Sequence, residues 1–293
     1  TQIAPTADFS KALESCCNDE LVVGITAAMP SGTGMDRLIE KYPQRFWDVA
    51  ICEAHGVTSM AAMAKEGYKP FVAIYSTFLQ RAYGQLIHDV GILGLPVRFC
   101  IDRAGIVGED GETHQGLFDI AYLRSIPNFV LFAPRDNASL AQAVDFAYHC
   151  DNAPCAFRYP RSKFVLEDGV FESRAFELGK AELLIQGEKI LLIGYGNGVG
   201  RAYYVRESLR EFGLNPTLLD LRFVKPLDKE RLKILCQSHT HICVLSDSYA
   251  MGGVGSALLE FMAEENLLNV AFKSFEIQDS FIPHGNSGIV ESA

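Results

Sequence analysis

The sequence predicts an α/β fold in two domains, each a mainly parallel twisted sheet with helices on both faces. Three observations carry that prediction. Short apolar runs alternate with helix-period segments from about residue 20 to residue 158. The pattern then lapses into Pro160, Arg161, Ser162, Lys163 and a charged stretch to Glu177. A second alternation of the same kind follows. Buried strands separated by helices indicate a parallel sheet covered on both faces.

In the first half the expected strands are 21–26, 46–52, 71–75, 97–102, 130–133 and 156–159, with amphipathic stretches at 57–65, 78–90 and 137–149 between them. In the second half the expected order is strand 189–194 (KILLIG), helix 199–212, strand 217–221, helix 229–236, strand 241–246, helix 255–264 and strand 270–275. Continuous apolar runs resemble buried helix as much as buried strand, so these boundaries are soft. The domains are expected at 1–165 and 179–293, with a linker at 166–178.

The 293 residues are 48% hydrophobic and 21% charged, and that length favours two domains of ordinary size. The formal net charge is −10, with 36 acidic against 26 basic residues and no basic run. Nucleic acid and anionic membrane both need clustered Lys and Arg, so neither is an expected partner. An anionic substrate would have to be held by a local basic pocket. Cys52, Cys100, Cys155 and Cys243 lie in or beside apolar runs, where cysteine behaves as a small hydrophobe. No C-x-x-C pair or zinc spacing is present, so reduced, structural cysteines and a cytoplasmic location are expected. No signal peptide is visible, and no apolar run reaches the roughly 18 residues of a membrane span. The chain opens on Thr1 rather than Met, which suggests a trimmed or proteolysed piece.

The run Gly194-Tyr-Gly-Asn-Gly-Val-Gly200 follows a strand and opens a helix, as a dinucleotide-binding turn would. The spacing fails, because G-x-G-x-x-G needs glycine where Val199 or Arg201 stands. A Gly-rich strand-to-helix turn is the simpler reading, and NAD is not expected.

The stretch 53–161 is different in kind. It gathers His55, Arg81, His88, Asp89, Asp102, Arg103, Asp110, His114, Asp119, Arg158 and Arg161, mostly near strand ends. In open parallel sheets, ligands bind beyond the carboxyl ends of the strands. A Gly-rich loop, AGIVGEDGETHQG (104–116), has too little hydrophobicity to be core and too many ionisable groups to be a mere connector.

These residues also carry a specific resemblance. YSTFLQRAYGQLIHDV (75–90), DRAGIVGEDGETHQGLFDIAYLRSIPN (102–128) and RYPR (158–161) resemble 1-deoxy-D-xylulose-5-phosphate synthase, a transferase of the transketolase class. ITAAMPSGTGM (25–35), RFWDVAICEAH (45–55), RFVKPLD (222–228) and the GG-x-GSA segment (252–257) support the match. It covers nearly the whole chain, but only the family's pyrimidine-binding and C-terminal domains. The resemblance implies thiamine diphosphate and Mg²⁺ as cofactors, and pyruvate and D-glyceraldehyde 3-phosphate as substrates. Pyruvate would lose CO2 and its two-carbon unit would join the aldehyde, feeding isoprenoid, thiamine and pyridoxal synthesis. A homodimer is implied as well.

Carried over position by position, Glu53 matches the carboxylate that pairs with the cofactor's pyrimidine N1′. A carboxylic acid there favours the 4′-imino tautomer, and burial between Ile51 and Val57 would raise its pKa. Phe78 matches the residue that stacks on the pyrimidine. Tyr75, Arg103 and Arg161 match the anchors of the aldehyde's phosphate, for which guanidinium forks are suited. Asp110 and His114 match contacts to substrate hydroxyls and the reacting carbon's oxygen, with His114 able to move a proton near neutral pH. Arg81 matches a further pocket arginine. His88 and His284 have no implied role.

The chain departs from the family at Gly84, Ser162, Glu112, Ala54, Gly56 and Ser246-Asp247-Ser248. A drifted support shell around an intact pocket would affect substrate preference and rate more than reaction class. Nothing resembles the G-D-G…N segment that holds Mg²⁺ and the diphosphate, so its ligands are expected in an N-terminal domain or subunit. Alone, the chain is expected to bind the cofactor weakly and to be inactive. Three other readings share this layout: the small subunit of a split transketolase, the β subunit of an E1-type 2-oxoacid dehydrogenase, and a non-catalytic paralogue.

Overall fold

The apolar runs of the first half form β1 (Val22–Thr26), β2 (Phe46–Asp48), β3 (Lys69–Tyr75), β4 (Arg98–Asp102), β5 (Val130–Phe132) and β6 (Cys155–Arg158) in the computed structural model, which describes residues 5–286. The helices of this half are α1 (Pro5–Cys16), α2 (Asp36–Lys41), α3 (Glu53–Lys65), α4 (Ser76–Leu79), α5 (Tyr83–Gln85), α6 (Asp119–Arg124) and α7 (Asn137–His149). The second half runs β7 (Glu182–Ile185), β8 (Lys189–Gly194), α8 (Asn197–Arg210), β9 (Thr217–Asp220), β10 (Phe223–Lys225), α9 (Lys229–Ser238), β11 (His239–Tyr249), α10 (Val254–Glu264) and β12 (Ala271–Ile277).

Two sheets result, in the strand orders β10-β5-β6-β4-β3-β1-β2 and β12-β11-β8-β9-β7. Every pairing is parallel except β10 with β5 and β7 with β9, each at a sheet edge. The predicted α/β class with mainly parallel sheets is therefore what the chain adopts. Successive side chains of a strand face opposite ways. On β4, Phe99 and Ile101 enter one core while Cys100 enters the other. The first of these cores runs on into Leu191 and Ile193 of β8, so the two sheets share apolar contact.

Four expectations are corrected. The strand expected at 46–52 stops at Asp48, whose carboxylate accepts from the backbone N–H of Ala28 (2.7 Å) and Ala50 (2.9 Å). Ala50 then turns at a φ of 57°, and α3 begins at Glu53. The single helix expected at 78–90 is a broken path: α4, a 3₁₀ turn at Gln80–Ala82, α5 and a π turn at Leu86–Gly91. Gly84 weakens the helix, and wider π turns of this kind are frequent at functional sites. Cys52 is exposed rather than packed as a small hydrophobe, although Cys100 and Cys155 are buried and all eight cysteines are free. The loop 104–116 is only half polar surface, since Ile106 and Val107 are buried.

Helices α1, α2 and α6 and strands β7 and β10 had no counterpart in the reading of the sequence. Helix α1 opens on Pro5, a favoured first-turn residue, and buries Phe9 and Leu13 one turn apart. Strand β10, from the RFVKPLD segment, crosses from the second half to complete the first sheet against β5.

Candidate functional site

The carboxyl ends of β3, β4 and β6 deliver the charged and aromatic residues. Glu53 opens α3 and is 4% exposed. Its Oε1 accepts from the Arg81 guanidinium at 2.7 Å, and Arg81 is half exposed. The same guanidinium lies over the Phe78 ring, 4.8 Å from its centroid. Glu53 and Phe78 are thus brought to one place, with Arg81 touching both. Ile51 is 72% exposed, so it does not wall Glu53 as expected; the direct partner of the carboxylate is a guanidinium.

Phe78 stacks on Tyr75 at 5.8 Å and 14°, and meets the His114 imidazole edge-on at 5.2 Å. Tyr75 in turn carries the Arg103 guanidinium over its ring at 4.2 Å. Burial raises the Tyr75 phenol above its ordinary pKa, against the lowering effect of Arg103; Asp110 and Arg161 also act on it. Those last two form an ion pair of 2.9 Å. All eight predicted site residues therefore fall into one neighbourhood.

Arg103 is held tightly. It donates to Asp102 at 2.9 Å and to the Gly32 carbonyl, and its side chain is 13% exposed. Its Nε is buried without a partner. Asp102, fully buried at the end of β4, also accepts from Thr6 Oγ1 at 2.9 Å. Burial raises its pKa to about 6 despite the adjacent Arg103 charge. Burial works against the Arg103 charge, but Asp102 more than offsets that and lifts its pKa.

His114 closes a 3₁₀ turn at Glu112–His114 that follows another at Gly108–Asp110. The loop is closed at its neck by a bridge between Gly105 and Gly116, with N–H to O distances of 2.7 and 2.8 Å. Thr77 Oγ1 reaches the Thr113 carbonyl at 3.0 Å and ties the loop to α4. A cavity of 450 Å³ opens beside Thr77, Phe78, Arg81, Thr113, Phe118 and Phe281. A larger one of 660 Å³, between residues 174–186 and α9, contains none of the eight. Its lining balances Arg174, Lys180, Arg222 and Arg231 against Glu177, Glu182, Asp228 and Glu230.

Other residues take structural places. His55 bonds Ser59, and His88 is exposed. His284 packs beside Gly111. The Gly194–Gly200 turn serves backbone contact: a Cβ at Gly198 would lie 1.9 Å from the Leu245 carbonyl oxygen, and one at Gly200 would lie 2.5 Å from Leu166 N. Asn197 accepts from Val165 N at 3.0 Å. Sequence reading missed the roles of Asp102, Thr6 and Asp247; the ionisable end of an apolar strand was the available signal for Asp102.

The donor set suits a thiamine-type ring: a buried carboxylate, an aromatic ring beside it and an adjoining cavity. Among the described residues no group of three or more His, Cys, Asp or Glu could hold a metal ion.

Comparison with known families and proteins agrees with this picture. Residues 2–165 match the transketolase pyrimidine-binding domain and residues 179–293 the transketolase C-terminal domain. The chain is similar to 1-deoxy-D-xylulose-5-phosphate synthase of Helicobacter hepaticus, 74% identical over 99% of this chain and 46% of the relative. The synthase of Helicobacter pylori strain HPAG1 is 58% identical over 100% of this chain and 47% of the relative. The chain thus spans about half the length of the curated relatives it matches. A solved split-gene transketolase, described as an inactive β4 tetramer, superposes with a TM-score of 0.85. It is 25% identical, with 96% of this chain and 91% of that one covered.

Proposed function

Because the chain belongs to the transketolase family, through its pyrimidine-binding and C-terminal domains, we propose that it forms the pyrimidine-binding half of a 1-deoxy-D-xylulose-5-phosphate synthase. The reaction is thiamine-diphosphate-dependent decarboxylation of pyruvate and transfer of the two-carbon unit to D-glyceraldehyde 3-phosphate. The observation that carries it is the joining of Glu53 and Phe78 through Arg81, with Phe78 and Arg81 lining a cavity. In this reading residues 1–165 are the pyrimidine-binding domain, 166–178 the linker and 179–293 the C-terminal domain.

Bound thiamine diphosphate supplies the carbanion chemistry. Glu53 would hold the pyrimidine and set its tautomer, Phe78 would provide the stacking surface, and Arg81, the present partner of Glu53, would lie beside the ring. His114 holds or releases a proton at the substrate oxygen, and Asp110 positions substrate hydroxyls. Tyr75, Arg103 and Arg161 take the phosphate. Mg²⁺ and the diphosphate are held by a separate N-terminal domain or subunit, so this chain alone binds the cofactor weakly and is inactive. The working form is a cytoplasmic homodimer.

The test is calorimetry with thiamine diphosphate and Mg²⁺, on this chain alone and with the N-terminal half supplied, followed by product analysis. Tight binding and product from pyruvate plus glyceraldehyde 3-phosphate are expected only in the reconstituted sample. Loss of at least about a hundredfold in turnover is expected for Glu53→Gln in that sample. Full turnover by that variant would overturn the assignment. A second reading, a separately made subunit of a split transketolase, draws on the solved split-gene relative. Turnover of a ketose donor instead of pyruvate would favour it.

A further inference from the structure

Arg158, at the end of β6, is 5% exposed and lies outside every role assigned above. Its Nε and one terminal nitrogen donate to the two oxygens of Asp119, at 2.8 and 3.3 Å. Its other terminal nitrogen donates to Asp247 at 2.6 Å, while the nitrogen that reaches Asp119 also donates to the Gly116 carbonyl at 3.1 Å. Asp119 and Asp247 are themselves buried, at 1% and 4% exposure. Asp247 belongs to β11 of the second sheet, yet it reaches the loop neck from the other side. A Cβ at Gly105 would lie 2.2 Å from Asp247 Oδ2.

The neck of the loop that carries Asp110 and His114 is therefore gripped at both stems. Arg158 holds Gly116, Asp247 lies against Gly105, and the two grips are one ion pair. We propose that Arg158 and Asp247 are positioning residues that couple docking of the second sheet to the placement of the 105–116 loop. Burial opposes the Arg158 charge, but Asp119 and Asp247 more than offset it and keep the guanidinium charged. A buried pair is a poor source of net stability, because desolvation costs cancel much of the attraction. Conformational specificity at the loop neck is what this pair provides. It also gives the Ser246-Asp247-Ser248 departure a physical role: Asp247 pairs with Arg158, while Ser248 donates to Glu276 at 2.8 Å.

The relevance to catalysis rests on the proposed function, but the test reads the loop itself and so fails separately. Amide hydrogen exchange is measured on the full chain and on Asp247→Asn. Exchange in 105–116 should rise about tenfold to a hundredfold, well beyond any rise in the β4 amides, which report global opening. An equal rise in both would mark a merely structural pair and overturn the proposal, as would an unchanged loop. Should Asp247→Asn fail to fold, the triple variant Arg158→Met/Asp119→Asn/Asp247→Asn removes all three charges and leaves none buried unpaired. Selective loosening of the loop in that variant supports the proposal; retained loop protection overturns it.

Discussion

Asp102→Asn tests how the buried carboxylate beside Arg103 is poised. Asp102 is fully buried and its pKa is raised from 3.8 to about 6, with burial as the main cause. The folded state therefore binds its proton more tightly than the unfolded chain does. Between pH 3.8 and about 6 the folded state carries more protons, so stability falls as pH rises through that window. A shift of about two units corresponds to about 3 kcal/mol of stability present below the window and absent above it. Asparagine keeps an acceptor for Thr6 but cannot ionise. It also leaves Arg103 without its neighbouring charge, a cost that does not vary over this range. Urea unfolding followed by circular dichroism from pH 4 to pH 7 measures both proteins. The stability of wild type minus that of the variant should fall by about 2–3 kcal/mol across the range. Parallel profiles would refute the reasoning, because they would mean that Asp102 titrates alike in both states.

Other expectations follow from the same geometry. A Cβ at Gly84 meets no heavy atom within 4 Å, so Gly84→Asp should leave stability within about 0.5 kcal/mol of wild type. Gly198→Ala, whose Cβ would press on Leu245, should cost at least about 2 kcal/mol; equal urea midpoints for the two variants would contradict this. Arg98 is fully buried and donates to the carbonyls of Ala147 at 2.9 Å and Cys150 at 3.2 Å. Arg98→Met strands those acceptors and should lose about 2–3 kcal/mol in chemical unfolding. Maleimide labelling of the native chain, read by peptide mass, should modify exposed Cys52 well before Cys100, whose thiol is buried and pushed up in pKa. Early labelling of Cys100 would disprove the packing of that core.

Much of this was legible because burial of a single segment leaves a local pattern. Helix α7 and strand β8 occupy the ranges that periodicity assigned to them, 137–149 and 189–194. The eight site residues were found through long motifs, and the chain brings them to one neighbourhood. The broken path at 76–91 was not legible: apolar spacing there reads as one helix, while the placing of Arg81 between Glu53 and Phe78 is a contact across 28 residues.

The sequence alone determined the fold class, the alternation of strands and helices, and the residue types available for chemistry, because apolar period and charge are local properties. Only the tertiary structure decided that β10 completes the first sheet, that Arg81 covers Glu53, and that Arg158 joins Asp247 across 89 residues. Such pairings depend on the register and packing of two sheets at once. No spacing within one segment encodes them, since a buried charge can be satisfied by any counter-charge the fold happens to bring near.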